Sequence, residues 1–208
     1  MTNMDVLWFL FNQTRYGTAL ALIVPAAVSG SLPLLFLSGT VASFVHKGAA
    51  GGVLLLGLWR VLQGRKHGLL VAGIVSAAGI FLILRFAGPL ATLAGYGTYV
   101  GWWDQTLPAA HTPLKYYYML AVLLAWKLRN IHGPHSGSNI IDRLLILTLL
   151  FLPLSYYVVF AGRSFQMYSV VLLFALLQAK TPRPLQMFLL IPYFADLTVL
   201  LFSSGFYF

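Results

Sequence analysis

The sequence holds no cysteine and no glutamate, and its only acidic residues are Asp5, Asp104, Asp142 and Asp196. Without cysteine there are no disulfides and no thiolate chemistry. Four scattered carboxylates leave little for a hydrolase built on two neighbouring ones. Charge of either sign is scarce, at 8% of 208 residues, where a soluble globular domain carries about 25%. A soluble domain this poor in charge could not cover its own surface, so part of the solvent must be lipid. No P-loop, dinucleotide fingerprint, HExxH helix or GxSxG elbow occurs. The N-terminus does not read as a cleavable signal either: residues 1–4 lack basic character, and Asp5 stands where Lys or Arg would be expected.

What is present is apolar bulk, 60% of the chain, with a net charge of +9. The basic residues sit singly or in small groups between apolar runs, as in the loops of a membrane protein, and form no stripe suited to nucleic acid. Eight apolar segments can be read, at 16–30, 32–45, 48–62, 68–86, 114–128, 144–162, 165–179 and 184–202. Crossing a ~30 Å hydrocarbon core takes about 20 residues. Only the fourth, sixth and eighth segments reach that length, so the first three must tilt, extend past their apolar limits or be partly re-entrant. The expected fold is all-α: a polytopic transmembrane helical bundle, one domain over 1–208, with about eight segments in a range of six to nine.

Orientation follows from the basic loops. Arg60, Arg65 and Lys66 lie between the third and fourth segments, Lys127, Arg129 and Arg143 flank the link between the fifth and sixth, and Lys180 and Arg183 separate the seventh and eighth. Cytoplasmic loops are enriched in Lys and Arg, and two segments separate each cluster from the next, so all three share the inner side. The polar linker over 130–140, with its GPHSGSN run, then lies in the cytoplasm. Parity assigns Arg15, His46, Lys47, Arg85, Arg163 and the 87–113 loop, with Asp104 and His111, to the outer side. Basic residues there run against the usual bias, and ionisable groups held near lipid mark functional sites by default. A cationic cluster of this kind suits an anionic ligand, phosphate above all.

The 87–113 loop carries Tyr96, Tyr99, Trp102 and Trp103. Such rings form interfacial belts, the commoner case, and also stack on sugar faces. Two readings stand for Arg15 as well: an arginine snorkelling at a helix end, or a guanidinium aimed at phosphate, with Gly17 giving another helix close access. His46 is either an interfacial histidine that packs and hydrogen-bonds or a general base. Arg163 is expected in a very short outer turn between the sixth and seventh segments. His132 and His135 read as solvated loop histidines in preference to a metal pair.

The run Asn12-x-x-Arg15-x-Gly17-x-Ala19, followed by an apolar helix ending in Phe44-Val45-His46, resembles the EpsG-like branch of the Wzy-type polysaccharide polymerases. Their pattern is an Asn-x-x-Arg-x-x-x-Ala helix start and a later helix ending in a Phe-His pair and a small residue; here Val45 separates the aromatic from the histidine. Ala161-Gly162-Arg163 and the aromatic helix after it are similar to that family's late arginine segment. The resemblance implies a GT-C-like membrane glycosyltransferase, lacking the family's N-terminal helices. It would join undecaprenyl-diphosphate-linked glycan repeat units at the outer face of the bacterial cytoplasmic (inner) membrane. Arg15, Arg85 and Arg163 then bind the diphosphate, His46 is the first candidate for the catalytic base and Asp104 the second, and Tyr99, Trp102 and Trp103 stack on the glycan. No cofactor and no metal are expected. Other polysaccharide-assembly membrane proteins are expected partners beside the lipid bilayer.

The rival expectation is a non-catalytic membrane protein: a small transporter, a lipid-handling protein or an assembly subunit. A transporter would hold ionisable groups near the bilayer midplane in broken helices. Asp196, inside the last apolar segment with Pro192 nearby, is the residue that favours it.

Overall fold

The computed structural model describes residues 3–46, 49–93, 111–129, 138–156, 158–178 and 181–203. Among the described residues every regular element is helical: α1 (Asn3–Ser29), α2 (Leu32–Val45), α3 (Ala49–Leu62), α4 (Gly68–Leu93), α5 (His111–Arg129), α6 (Ser138–Phe151), a 3-10 helix (Leu152–Tyr156), α7 (Val158–Gln178) and α8 (Arg183–Ser203). The all-α expectation holds among the described residues, and each apolar segment of the sequence except 144–162 follows a single helix.

Local chemistry sets the boundaries. Gly30, at φ 82°, turns the chain after α1, a conformation that costs a residue with a Cβ about 1–2 kcal/mol. Ser31 then caps α2, its Oγ accepting from the Leu34 N–H at 3.3 Å, and a proline in the first turn gives up a donor the helix does not need there. In α4 the backbone leaves helical geometry at Phe86 (φ −129°, ψ 24°). The cause is Pro89, which cannot donate to the carbonyl four residues back and crowds it. The helix resumes to Leu93, so the interval before α5 narrows to 94–110.

One boundary differs from expectation. Segments six and seven were expected to part at Gly162-Arg163, whereas α6 ends at Phe151 and α7 begins at Val158. Pro153 is the reason, because it disfavours α geometry in the residue before it and supplies no N–H. Within the 3-10 helix the Ser155 Oγ donates to the Leu152 carbonyl at 2.6 Å. Arg163 therefore lies inside a helix, not in a turn.

Packing is organised around α6, which touches α3, α4, α5 and α7. Ile141, Leu144, Leu145, Ile146, Leu147 and Leu150 are all buried, so beyond Arg143 this helix is enclosed on nearly every side. α1, α2 and α3 form a compact group beside it. Gly39 of α2 lies so close to Val53 of α3 that a Cβ there would meet Val53 Cγ1 at 2.4 Å. Trp59 of α3 ties this group to α6 by donating from Nε1 to the Arg143 carbonyl at 2.8 Å.

The periphery is apolar as well. Phe44 on α2 is 84% exposed, Leu177 on α7 76% and Met187 on α8 71%. Among the described residues one stretch is long and apolar enough to cross a membrane, Gly68–Phe86 of α4, 19 residues with mean hydropathy 2.3. α2 and α3, at 14 residues each, are about 21 Å long and stop short of a ~30 Å core. α1 does extend past its apolar limit, to 27 residues.

Candidate functional site

The buried face of α1 runs through Tyr16, Ala19, Ile23 and Ala26, and that of α2 through Leu35, Gly39 and Ala42 to His46. Both rows recur at helical spacing. The two stripes pack together, and their shared end brings Arg15, Tyr16 and His46 into one junction. Arg15 Nε donates to the Val45 carbonyl at 2.9 Å, one of the last carbonyls of α2, which the helix itself leaves without a donor. Positive charge at that terminus also complements the helix dipole.

His46 follows immediately. Its backbone is extended (φ −147°, ψ 109°), and its N–H returns to the Ala42 carbonyl, ending the helix. The imidazole is 7% exposed and meets the Tyr16 ring edge-on, with centroids 5.2 Å apart. A guanidinium and an imidazole from two successive helices are thus held against one helix terminus.

The neighbouring wall comes from α5 and α7. Lys115 sits over the Phe165 ring, its Nζ 4.9 Å from the centroid, at a distance typical of cation–π contact. Tyr116 is fully buried against Phe165 and Tyr168, with centroids 5.5 and 4.9 Å away. Tyr193 of α8 stacks on Phe165 at 5.4 Å. Tyr168 exchanges a 3.0 Å hydrogen bond with Thr148, whose own Oγ1 donates to the Leu144 carbonyl. α7 also packs on α1, so the aromatic wall adjoins the Arg15–His46 junction.

Of the residues expected at the site, Arg15 and His46 come together. Arg163 is carried by the second turn of α7, just before Ser164 and Phe165, and its side chain lies outside the described residues. Arg85 is exposed one residue before the α4 kink. Its helix packs on α3, α6 and the 3-10 helix, a different set of neighbours from those around His46. Asp104, Tyr99, Trp102 and Trp103 lie outside the described residues, as do His132 and His135. Among the described residues no group of three or more His, Asp or Glu side chains gathers as a metal site. Lys115 and Tyr116 were not singled out from the sequence; the run Lys115-Tyr116-Tyr117-Tyr118 at the start of α5 was the available signal.

Family models, curated proteins and solved structures yield no match to this chain.

Proposed function

We propose that the chain is a multi-pass protein of the bacterial cytoplasmic membrane and acts as a polysaccharide polymerase. Its Arg15–His46 end would receive the diphosphate of an undecaprenyl-linked glycan and join repeat units there, the chemistry of the EpsG-like family it resembles. The observation that carries this reading is the junction itself: the two motif residues, on separate helices, meet through the Val45 carbonyl and the Tyr16 ring. Lipid as the solvent is supported by bare apolar side chains on α2, α4, α7 and α8, since soluble monomers rarely expose large contiguous apolar patches.

The chemistry asks little beyond fixed charge and a base. The bond between the anomeric carbon and the diphosphate oxygen breaks, and its electron pair leaves with the diphosphate. The acceptor sugar hydroxyl forms the new glycosidic bond and surrenders its proton to His46, with Asp104 the second candidate. Arg15 stabilises the charge that develops on the leaving group, with Arg163 and Arg85 as the further proposed ligands. Tyr99, Trp102 and Trp103 would hold the glycan.

Arg15 Nε on a helix-terminal carbonyl favours a second reading, in which Arg15 is a structural cap and the chain is a non-catalytic transporter, lipid-handling protein or assembly subunit. Purified protein supplied with undecaprenyl-diphosphate repeat units separates the two. The polymerase reading expects a ladder of lengthening glycans on a gel, lost in His46→Ala and Arg163→Ala at unchanged thermal stability. A wild-type sample that yields no ladder, with Arg15→Ala lowering only the melting temperature, supports the cap.

A further inference from the structure

The opposite end of the bundle holds a cavity of about 570 Å³. Gly64, at φ 76°, turns the chain after α3, and Gly68 presses so close to the Leu62 carbonyl that a Cβ would sit 2.3 Å from it. This tight return projects Arg65 and Lys66 across the ends of α5 and α6, where Lys127 and Arg143 join them around the cavity. The lining contains one carboxylate, Asp142, held by Lys127 at 2.6 Å. Four cations against one anion leave a strong positive excess.

The floor is apolar, formed by Leu69, Leu70 and Ile146. From Leu70 an exposed stripe continues along α4 through Ile74 and Phe81, which are 63%, 60% and 64% exposed in that order. Their spacing of four and then seven residues keeps them on one helix face, and the stripe extends about 16 Å. Solvated loop lysines that only orient a chain need neither a shared cavity nor an apolar track leading out of it.

We propose that this cavity binds the headgroup of an anionic phospholipid of the cytoplasmic leaflet, with an acyl chain lying on the Leu70–Ile74–Phe81 stripe. Basic pockets between helices on that side suit headgroups carrying more than one phosphate, and a bis-phosphate lipid matches the charge excess better than a singly charged one. The inference rests on the membrane reading but not on the polymerase reading, because the site lies at the other end of the molecule from Arg15 and His46.

Native mass spectrometry of the detergent-purified full chain tests it, with cardiolipin, phosphatidylglycerol and phosphatidylcholine as lipid probes and inorganic pyrophosphate as a soluble competitor. One cardiolipin is expected to be held most tightly and phosphatidylcholine least. Arg65→Gln with Lys66→Gln, both at exposed positions, should weaken cardiolipin about thirtyfold, from two cations of ordinary interfacial strength. Lys66→Gln alone should weaken it about fivefold, which preserves the test if the double variant folds poorly. Arg183→Gln, outside the cavity, should change nothing. Equal retention of phosphatidylcholine, or equal loss in Arg183→Gln and Lys66→Gln, overturns the site. Displacement of cardiolipin by pyrophosphate at matching concentration overturns the lipid and identifies a soluble phosphate ligand instead.

Discussion

His46 ends the buried stripe of α2, is 7% exposed, and faces a tyrosine edge beside a guanidinium. If it takes the acceptor proton, His46→Ala should lower the polymerisation rate by about 10²–10⁴-fold while the glycan-lipid is still bound, which equilibrium binding of the labelled substrate would check. A parallel loss of binding and rate would reduce His46 to a packing residue. Gly30 offers a purely structural test at the same scale. A Cβ there would lie 3.7 Å from Arg60 Nη1, an ordinary contact, so only the left-handed backbone opposes it. Gly30→Ala should therefore cost about 1–2 kcal/mol, read as a lower melting temperature in detergent. That Arg15 and His46 would lie near each other was legible in the sequence because one motif contained both. Lys115 was not, since a lysine opening an apolar helix gives the same signal whether it faces a ring or a headgroup.

Among elements, the α2–α3 pair shows how little room the bundle leaves. Val53 is β-branched and stiff, so the Cβ introduced by Gly39→Ala, 2.4 Å from Val53 Cγ1, cannot be relieved by a rotamer change and must part the helices. The expected cost is about 1–3 kcal/mol, the usual range for overpacking. Adding Val53→Ala should recover most of it, because the clash involves that side chain. Thermal melts of the single and double variants decide this: no recovery in the pair would mean that Gly39 is needed for some other reason. The sequence made the helices visible through apolar runs bounded by Gly, Pro and basic residues. It misled at one join. Gly162-Arg163 looked like a break because charge interrupts the apolar pattern there, whereas the α geometry gives way earlier, beside Pro153, and the arginine is carried inside α7. The central place of α6 was hidden for a related reason, since a run apolar on all sides reads alike whether protein or lipid surrounds it.

At the scale of the whole molecule the two ends differ in kind. Two basic clusters that the sequence assigned to one side, Arg65 and Lys66 with Lys127 and Arg143, do share a single cavity. The Arg15–His46 junction belongs to other helices, α1 and α2, at the opposite end of the bundle. α5 joins the two regions, with Lys115 against Phe165 near its start and Lys127 against Asp142 near its finish. Its 19 residues extend about 28 Å, close to the thickness of a hydrocarbon core. If α5 crosses a bilayer, the positive-inside bias fixes which way. Alkaline phosphatase inserted within 94–110 should be active, and inserted within 130–137 inactive, with a cytoplasmic reporter giving the reverse pattern. Activity at both insertions would mean that α5 does not cross. The reverse pattern would put His46 in the cytoplasm, away from glycans assembled outside, and would expose the basic cavity to the side where anionic lipid is not its natural neighbour.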